Sequence, residues 1–259
     1  MNIVVCVKQV PDTAAERTLT PGAATLDRES ADGLINELDE YAIEEGLKLA
    51  EAHGGEVTIL SMGPAKAADS IRKALSMGAD KAVHVTDDGL AGSDALATSA
   101  ALAAALRSVG FDLAVFGSES TDARTGMVPA MVAERLGVPQ LTLASQVDIN
   151  GSQVTIRRVT DDGYQVATGG LPTVVSVVEK INEPRYPTFK GIMAAKKKPV
   201  QVLTLADLSV DAGSVGLAHA ATWVNDFAAR PPRAAGVVVK DEGDGGTKAA
   251  GFLAERKFI

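Results

Sequence analysis

A single cysteine, three histidines and ten aromatic residues (one Trp, three Tyr, six Phe) are spread over 259 positions. With only Cys6, an internal disulfide framework is excluded and a reducing, cytoplasmic compartment is expected. Cys6 stands among valines and reads as a small buried hydrophobe rather than a nucleophile. His53, His84 and His219 show no ligand spacing to cysteines or carboxylates, so no metal site is expected. The longest apolar runs, such as Thr173 to Val178, are far too short to span a bilayer, and no membrane insertion is expected. No basic region and long apolar core open the chain, so no secretory signal is expected. Positive charge is also scarce, 25 Lys and Arg against 33 Asp and Glu, and a net charge of −8 argues against a nucleic-acid binder.

Catalytic motifs are missing too. There is no P-loop and no GxGxxG after the first strand. Ser61 and Ser118 lack the setting of a nucleophile elbow, and the acid pairs Glu44-Glu45 and Asp161-Asp162 read as structural. The chain is not expected to be an enzyme by itself.

What is present is regular alternation. Asn2 to Val7 is a continuous apolar run, as in a parallel strand covered on both faces. Leu38, Ala42, Ile43, Leu47, Leu49 and Ala50 have helical spacing over Asn36 to His53, which stops at Gly54-Gly55. A strand over Glu56 to Met62, a helix from Gly63-Pro64 to about Gly78 and a strand over Lys81 to Thr86 follow. Next come a helix over Ser93 to Val109 with Ser93 as its cap, a strand over Phe111 to Phe116 and a helix over Thr125 to Leu136. This pattern predicts an α/β fold with a doubly wound, mostly parallel sheet, binding ligands at the carboxyl ends of its strands. From Leu141 to Val178 short strands predominate, with a hairpin turn at Asn150-Gly151. One more short strand is expected over Val200 to Leu205. Beyond Leu208 the pattern fades into an arm, 209–259, with linkers at Arg230 to Arg233 and Asp241 to Gly246, a short strand between them and a last helix over Thr247 to Lys257. An arm that cannot bury itself lies on a partner subunit or frays.

Two segments carry candidate function. At the strand ends, small residues and a helix start gather around Gly117 to Gly126, a setting in which backbone amides, Arg124 and Thr125 can hold a phosphate and Asp122 a ribose. Packing and turn roles for the same glycines stay open. Glu179 to Lys198 has Pro184 and Pro187, which deny a regular helix or central strand, then Tyr186, Phe189 and Met193, and then Lys196, Lys197 and Lys198. Apolar anchors beside a basic flank suit the docking of another protein; a solvated loop is the plain alternative.

The run Asn-Glu-Pro-Arg-Tyr-Pro at Asn182 to Pro187, followed by Gly-Ile-Met-Ala-Ala-Lys-Lys-Lys at Gly191 to Lys198, resembles the signature of the electron transfer flavoprotein β subunit. The resemblance covers roughly Met1 to Leu208. It implies a Rossmann-like sheet, related to adenine-nucleotide α-hydrolases, with a β-hairpin extension. It implies a recognition loop of Glu183, Pro184, Arg185, Tyr186, Phe189, Met193, Lys196, Lys197 and Lys198, with Phe189 in place of the family's leucine anchor. It also implies a structural AMP held by Cys6, by Asn36, Glu37, Leu38 and Asp39, by Met62, and by Asp122, Ala123, Arg124, Thr125, Gly126, Met127, Val128, Pro129 and Ala130. The implied partner is an α subunit that binds most of the FAD. Implied donors are acyl-CoA dehydrogenases and related flavin dehydrogenases of fatty acid β-oxidation, and the implied acceptor is a quinone oxidoreductase. Asn36-Glu37-Leu38-Asp39 lacks the proline and aromatic common after that asparagine, and Ser120 to Arg124 is shorter and poorer in aspartate than usual. A second FAD in the AMP place, as in electron-bifurcating members, therefore stays open, as does a universal-stress-type ATP-binding protein.

Overall fold

The computed structural model describes residues 1–228, 231–233, 235–236 and 238–259, in two compact units, Met1–Asn225 and Asp226–Ile259. Arg230 of the expected linker lies outside the described residues.

The first unit is built on a nine-stranded sheet. Its parallel strands are β1 (Asn2–Cys6), β4 (Glu56–Met62), β5 (Lys81–Val85), β6 (Leu113–Gly117), β7 (Gln140–Asn150), β10 (Thr173–Val177) and β11 (Val200–Leu203). Antiparallel β8 (Gln153–Thr160) and β9 (Gly163–Gly170) extend one end as the expected hairpin extension, so the order is β11-β5-β4-β1-β6-β10-β7-β8-β9. Central strands β1, β6 and β10 are almost wholly buried and mostly apolar, with valine the commonest residue, because helices cover both faces. On one face Ile3, Val5 and Ile59 pack against α1 (Glu37–His53) and α2 (Ala68–Met77) through Ile43, Leu47, Ile71 and Leu75. On the other, Val4, Leu60 and Phe116 meet α3 (Ala95–Val109) and α4 (Val128–Leu136) through Leu102, Leu106 and Val132. From β1 the chain winds outward to β4 and β5, and from β6 it runs the other way, so the switch point lies between β1 and β6.

Several expectations are corrected in detail. Asp94, not Ser93, caps α3 by accepting from the Ala97 amide at 2.9 Å, and Ser93 Oγ accepts from the Gly216 amide instead. α4 begins at Val128 rather than Thr125, because Arg124 (φ 49°) and Gly126 (φ 63°) are left-handed and cannot extend a helix. A helix, α5 (Phe189–Ala195), occurs where the prolines were expected to forbid one. Both prolines precede it, and Thr188 caps it by accepting from the Gly191 amide at 3.0 Å.

A small antiparallel ribbon, β2 (Gln9–Pro11) with β3 (Gly33–Ile35), was not foreseen. It closes the excursion 12–32 between β1 and α1. The compact unit also runs past Leu208: Leu217 N donates to Ala91 O and Thr222 N to Asp94 Oδ2. In the second unit α6 (Gly245–Glu255) has no buried residue, and no strand occurs among its described residues.

Candidate functional site

Two places draw the candidate residues together. The first is the switch point. β1 ends at buried Cys6, whose thiol burial pushes up, and the chain continues to Lys8. α1 starts opposite, and its Asp39 reaches back so that Oδ2 accepts from the Lys8 amide at 2.8 Å. Gly117 is required for this approach: a Cβ there would stand 2.5 Å from Asp39 Oδ1 and 2.8 Å from the Leu38 carbonyl carbon. Burial raises the Asp39 carboxyl to about 7, opposed by the Lys8 amide and the Asn36 side chain. Buried Asn36 stitches the loop after β6 to the helix start. Its Nδ2 donates to Glu119 O at 2.9 Å and its Oδ1 accepts from the Thr121 amide at 3.0 Å.

At the centre of that loop Asp122 has a side chain with no exposed surface. Lys8 Nζ reaches Oδ1 at 2.8 Å and Arg28 Nη2 reaches Oδ2 at 2.8 Å. Burial drives the Asp122 carboxyl up, but Lys8, Ser120 and Arg28 together outweigh it and hold it at about 2. Arg17 Nη1 donates to Thr121 O at 2.7 Å, and Lys66 Nζ pairs with Glu29 at 2.9 Å. The excursion 12–32 is thereby fastened to the loop by its Arg17 and Arg28 and held from the other side by Lys66 on its Glu29. Lys8, Arg17, Arg28 and Lys66 were not read from the sequence. Their partners lie up to 114 residues away. The only signal for Arg17 and Arg28 was basic residues in an otherwise patternless stretch, while Lys8 and Lys66 stood at the ends of predicted elements with nothing to single them out.

The cluster has the chemistry an anionic nucleotide needs. Two cations, Lys8 and Arg28, share one carboxylate at the strand ends, each with part of its side chain in water. Thr121 Oγ1 is buried without a hydrogen-bond partner, and a Cβ on Gly126 would meet nothing closer than Ser118 O at 3.9 Å. AMP or the adenylate half of FAD fits these groups. Cys6, Asn36, Leu38, Asp39 and Asp122 adjoin this point, and Met62 ends β4 beside it. Glu37 and the run Ala123 to Met127 are exposed, and Val128, Pro129 and Ala130 form the first turn of α4.

The second place is the segment 182–198. α5 lies on α2 so closely that a Cβ on Gly191 would stand 2.4 Å from Ser76 O. It turns Phe189, 81% exposed, and Met193 outward, and Tyr186 just before it is 92% exposed. Lys196 and Lys197 are exposed, as is Glu183, while Pro184 is half-buried. Arg185 and Lys198 point back into the domain. A cavity of about 510 Å³ opens between α2 and α5, lined by Arg72, Lys73, Pro187, Ile192 and Lys196.

Among the described residues no group of His, Cys, Asp and Glu could hold a metal ion. Among them, too, no helix is long and apolar enough to cross a membrane.

Comparison with known proteins places the chain in a family. The family model described as "Electron transfer flavoprotein domain" matches residues 23–208. "Electron transfer flavoprotein subunit beta" of Mycobacterium tuberculosis is 52% identical over 264 residues, covering 100% of this chain and 99% of that protein. The protein of the same name from Clostridium acetobutylicum is 38% identical, covering 92% of each chain. "Protein FixA" of Azorhizobium caulinodans is 40% identical, covering 90% of this chain and 86% of that protein. With a doubly wound sheet and near-complete coverage in relatives at this identity, the chain belongs to the electron transfer flavoprotein β-subunit family.

Proposed function

We propose that this chain pairs with an α subunit in a heterodimeric, cytoplasmic electron transfer flavoprotein. The dimer takes electrons from acyl-CoA dehydrogenases and related flavin dehydrogenases, as in fatty acid β-oxidation, and passes them to a quinone oxidoreductase. The observation that carries the reading is the outward ridge of Phe189 and Met193 on a helix seated against the nucleotide-type domain, with exposed Tyr186 just ahead of it. Water-exposed aromatics on a supported helix suit a partner's pocket, and one such anchor can dominate a small interface. Lys196 and Lys197 steer acidic partner surfaces.

At the switch point we assign a structural AMP. Cys6, Asn36 to Asp39, Met62 and Asp122 to Ala130 line its place, and Lys8 and Arg28 supply positive charge for the phosphate. FAD, held mainly by the α subunit, supplies the electron-carrying chemistry when bound. This chain orients partners and keeps the domain rigid, and it contributes no catalytic side chain of its own. The unit Asp226–Ile259, with Phe252, Leu253, Phe258 and Ile259 exposed, is assigned to the α-subunit surface.

A second reading puts another FAD in the AMP place, as in a bifurcating flavoprotein. The altered loop Ser120 to Arg124 favours it. Nucleotide analysis of the complex purified from its host separates the two. One AMP and one FAD per copy of this chain, with an α subunit, is the expected result. Two FAD and no AMP overturns the AMP assignment, and a lone chain carrying ATP overturns the heterodimer.

A further inference from the structure

The docking segment is held by its ends. Ala195 is the only buried residue of α5, and an open cavity of about 510 Å³ lies beside the helix, so little apolar side-chain packing holds it although its backbone sits close on α2. Charged groups do. At the leading end Arg185 Nε donates to Glu44 Oε2 at 2.7 Å and Nη2 to Glu44 Oε1 at 3.0 Å. Its Nη1 donates to Glu51 Oε1 at 2.6 Å, and its backbone amide also donates to Glu44. The Glu44 side chain is only 8% exposed, deep in the middle of α1. Next to this clamp Asn182 Nδ2 donates to Tyr41 O at 3.1 Å and Glu45 Oε2 at 3.0 Å. At the trailing end Lys198 Nζ donates to Leu75 O at 3.0 Å and Ala79 O at 2.5 Å, spending its charge on the carbonyl end of α2. Arg72 of α2 donates to Ala195 O at 2.7 Å between the two.

We infer that Arg185 and Lys198 are positioning residues of the docking surface, which pin the segment to α1 and α2 and do not meet the partner protein. The planar guanidinium spans two carboxylates, a geometry that lysine cannot copy. A pre-set helix spares the partner the entropy of ordering it. The inference rests on the docking reading above and separates two groups that the sequence places together: outward Phe189, Met193, Lys196 and Lys197, and inward Arg185 and Lys198.

Glu44 supplies the decisive test, because it is buried and cannot reach a partner itself. The variants are Glu44→Gln, Arg185→Met, their double, and the milder Glu51→Gln and Arg185→Lys, each made in the heterodimer. Amide hydrogen exchange is followed over 186–196, with KM and kcat for flavin reduction by an acyl-CoA dehydrogenase. Both Glu44→Gln and Arg185→Met are expected to speed exchange and raise KM about tenfold, with the double variant no worse than either. kcat at saturation and nucleotide content stay as in the parent, and Arg185→Lys and Glu51→Gln fall between. If Arg185 touches the partner, Arg185→Met raises KM while Glu44→Gln, which frees the guanidinium, leaves it unchanged or lowers it; that outcome overturns the inference. Faster exchange with unmoved KM in every variant overturns the docking reading itself, while the pinning of α5 stands.

Discussion

The switch point and the docking segment invert the usual partition of residues in opposite directions. At the switch point, charge is inside: the Asp122 side chain has no exposed surface, and Asp39 and Asn36 are buried. In the docking segment, aromatic surface is outside, with Tyr186 and Phe189 almost wholly in water. Each inversion costs stability, since buried charge needs partners and exposed aromatic surface is uncompensated until something covers it. The first is offset within the chain by Lys8, Arg28 and backbone amides. The second has no such offset within the segment, and the docking proposed above would supply it from another molecule. On that reading the satisfied inversion belongs with the proposed nucleotide place and the unsatisfied one with the proposed protein interface.

Breaking the internal compensation gives the largest effect. Asp122→Ala leaves Lys8 and Arg28 facing each other without their shared anion. Both cations keep 37% of their side-chain surface in water. The loss is therefore set at about 2–3 kcal/mol, at or below the lower end for a fully buried pair, read by urea unfolding together with nucleotide content. An unchanged midpoint removes Asp122 from the centre of the network. Phe189→Ala comes next: about 2 kcal/mol of docking, some thirtyfold in KM for a dehydrogenase, with the unfolding midpoint unmoved. A shifted midpoint would mean that Phe189 stabilises its own chain and that the contrast fails there.

The two acids of the switch point sharpen the comparison through pH. Asp39 rises from 3.8 to about 7, so between those values the native protein holds a proton that the unfolded chain has lost. Stability therefore falls as pH rises through that window, and Asp39→Asn flattens the slope. Asp122 is lowered from 3.8 to about 2, so its contribution is present above 3.8 and is lost as pH falls toward 2. Unfolding midpoints from pH 2 to 8 test both signs, and a slope that survives in Asp39→Asn would reassign the upper window. The smallest effect belongs to Lys196→Gln with Lys197→Gln: a few-fold slower encounter at low salt that vanishes at high salt, with stability unchanged.

Much of the frame was legible because it is local. The valine run of β1, the helical spacing from Leu38 to Ala50 and the glycines after α1 each declare their structure within a few residues. The family resemblance also stood in contiguous signature residues, and with family membership the stand-alone ATP-binding alternative falls. What was missed is nonlocal or a matter of order. Arg28 meets Asp122 across 94 positions, and nothing near either residue announces it. Arg185 and Lys198 were grouped with their neighbours because sequence adjacency does not say which way a side chain turns. The helix α5 was denied on Pro184 and Pro187, although a proline ahead of a capping threonine ends the preceding extended chain and leaves the next turn free. That signal, Thr188 three residues before Gly191, was available.

Helix α1 starts at Asn36 and Asp39 beside the nucleotide loop, and two turns on it offers Glu44 and Glu45 to the docking segment. One helix of seventeen residues thus braces both places at once. If both proposed roles hold, any rotation of this rod moves the nucleotide loop and the docking segment together.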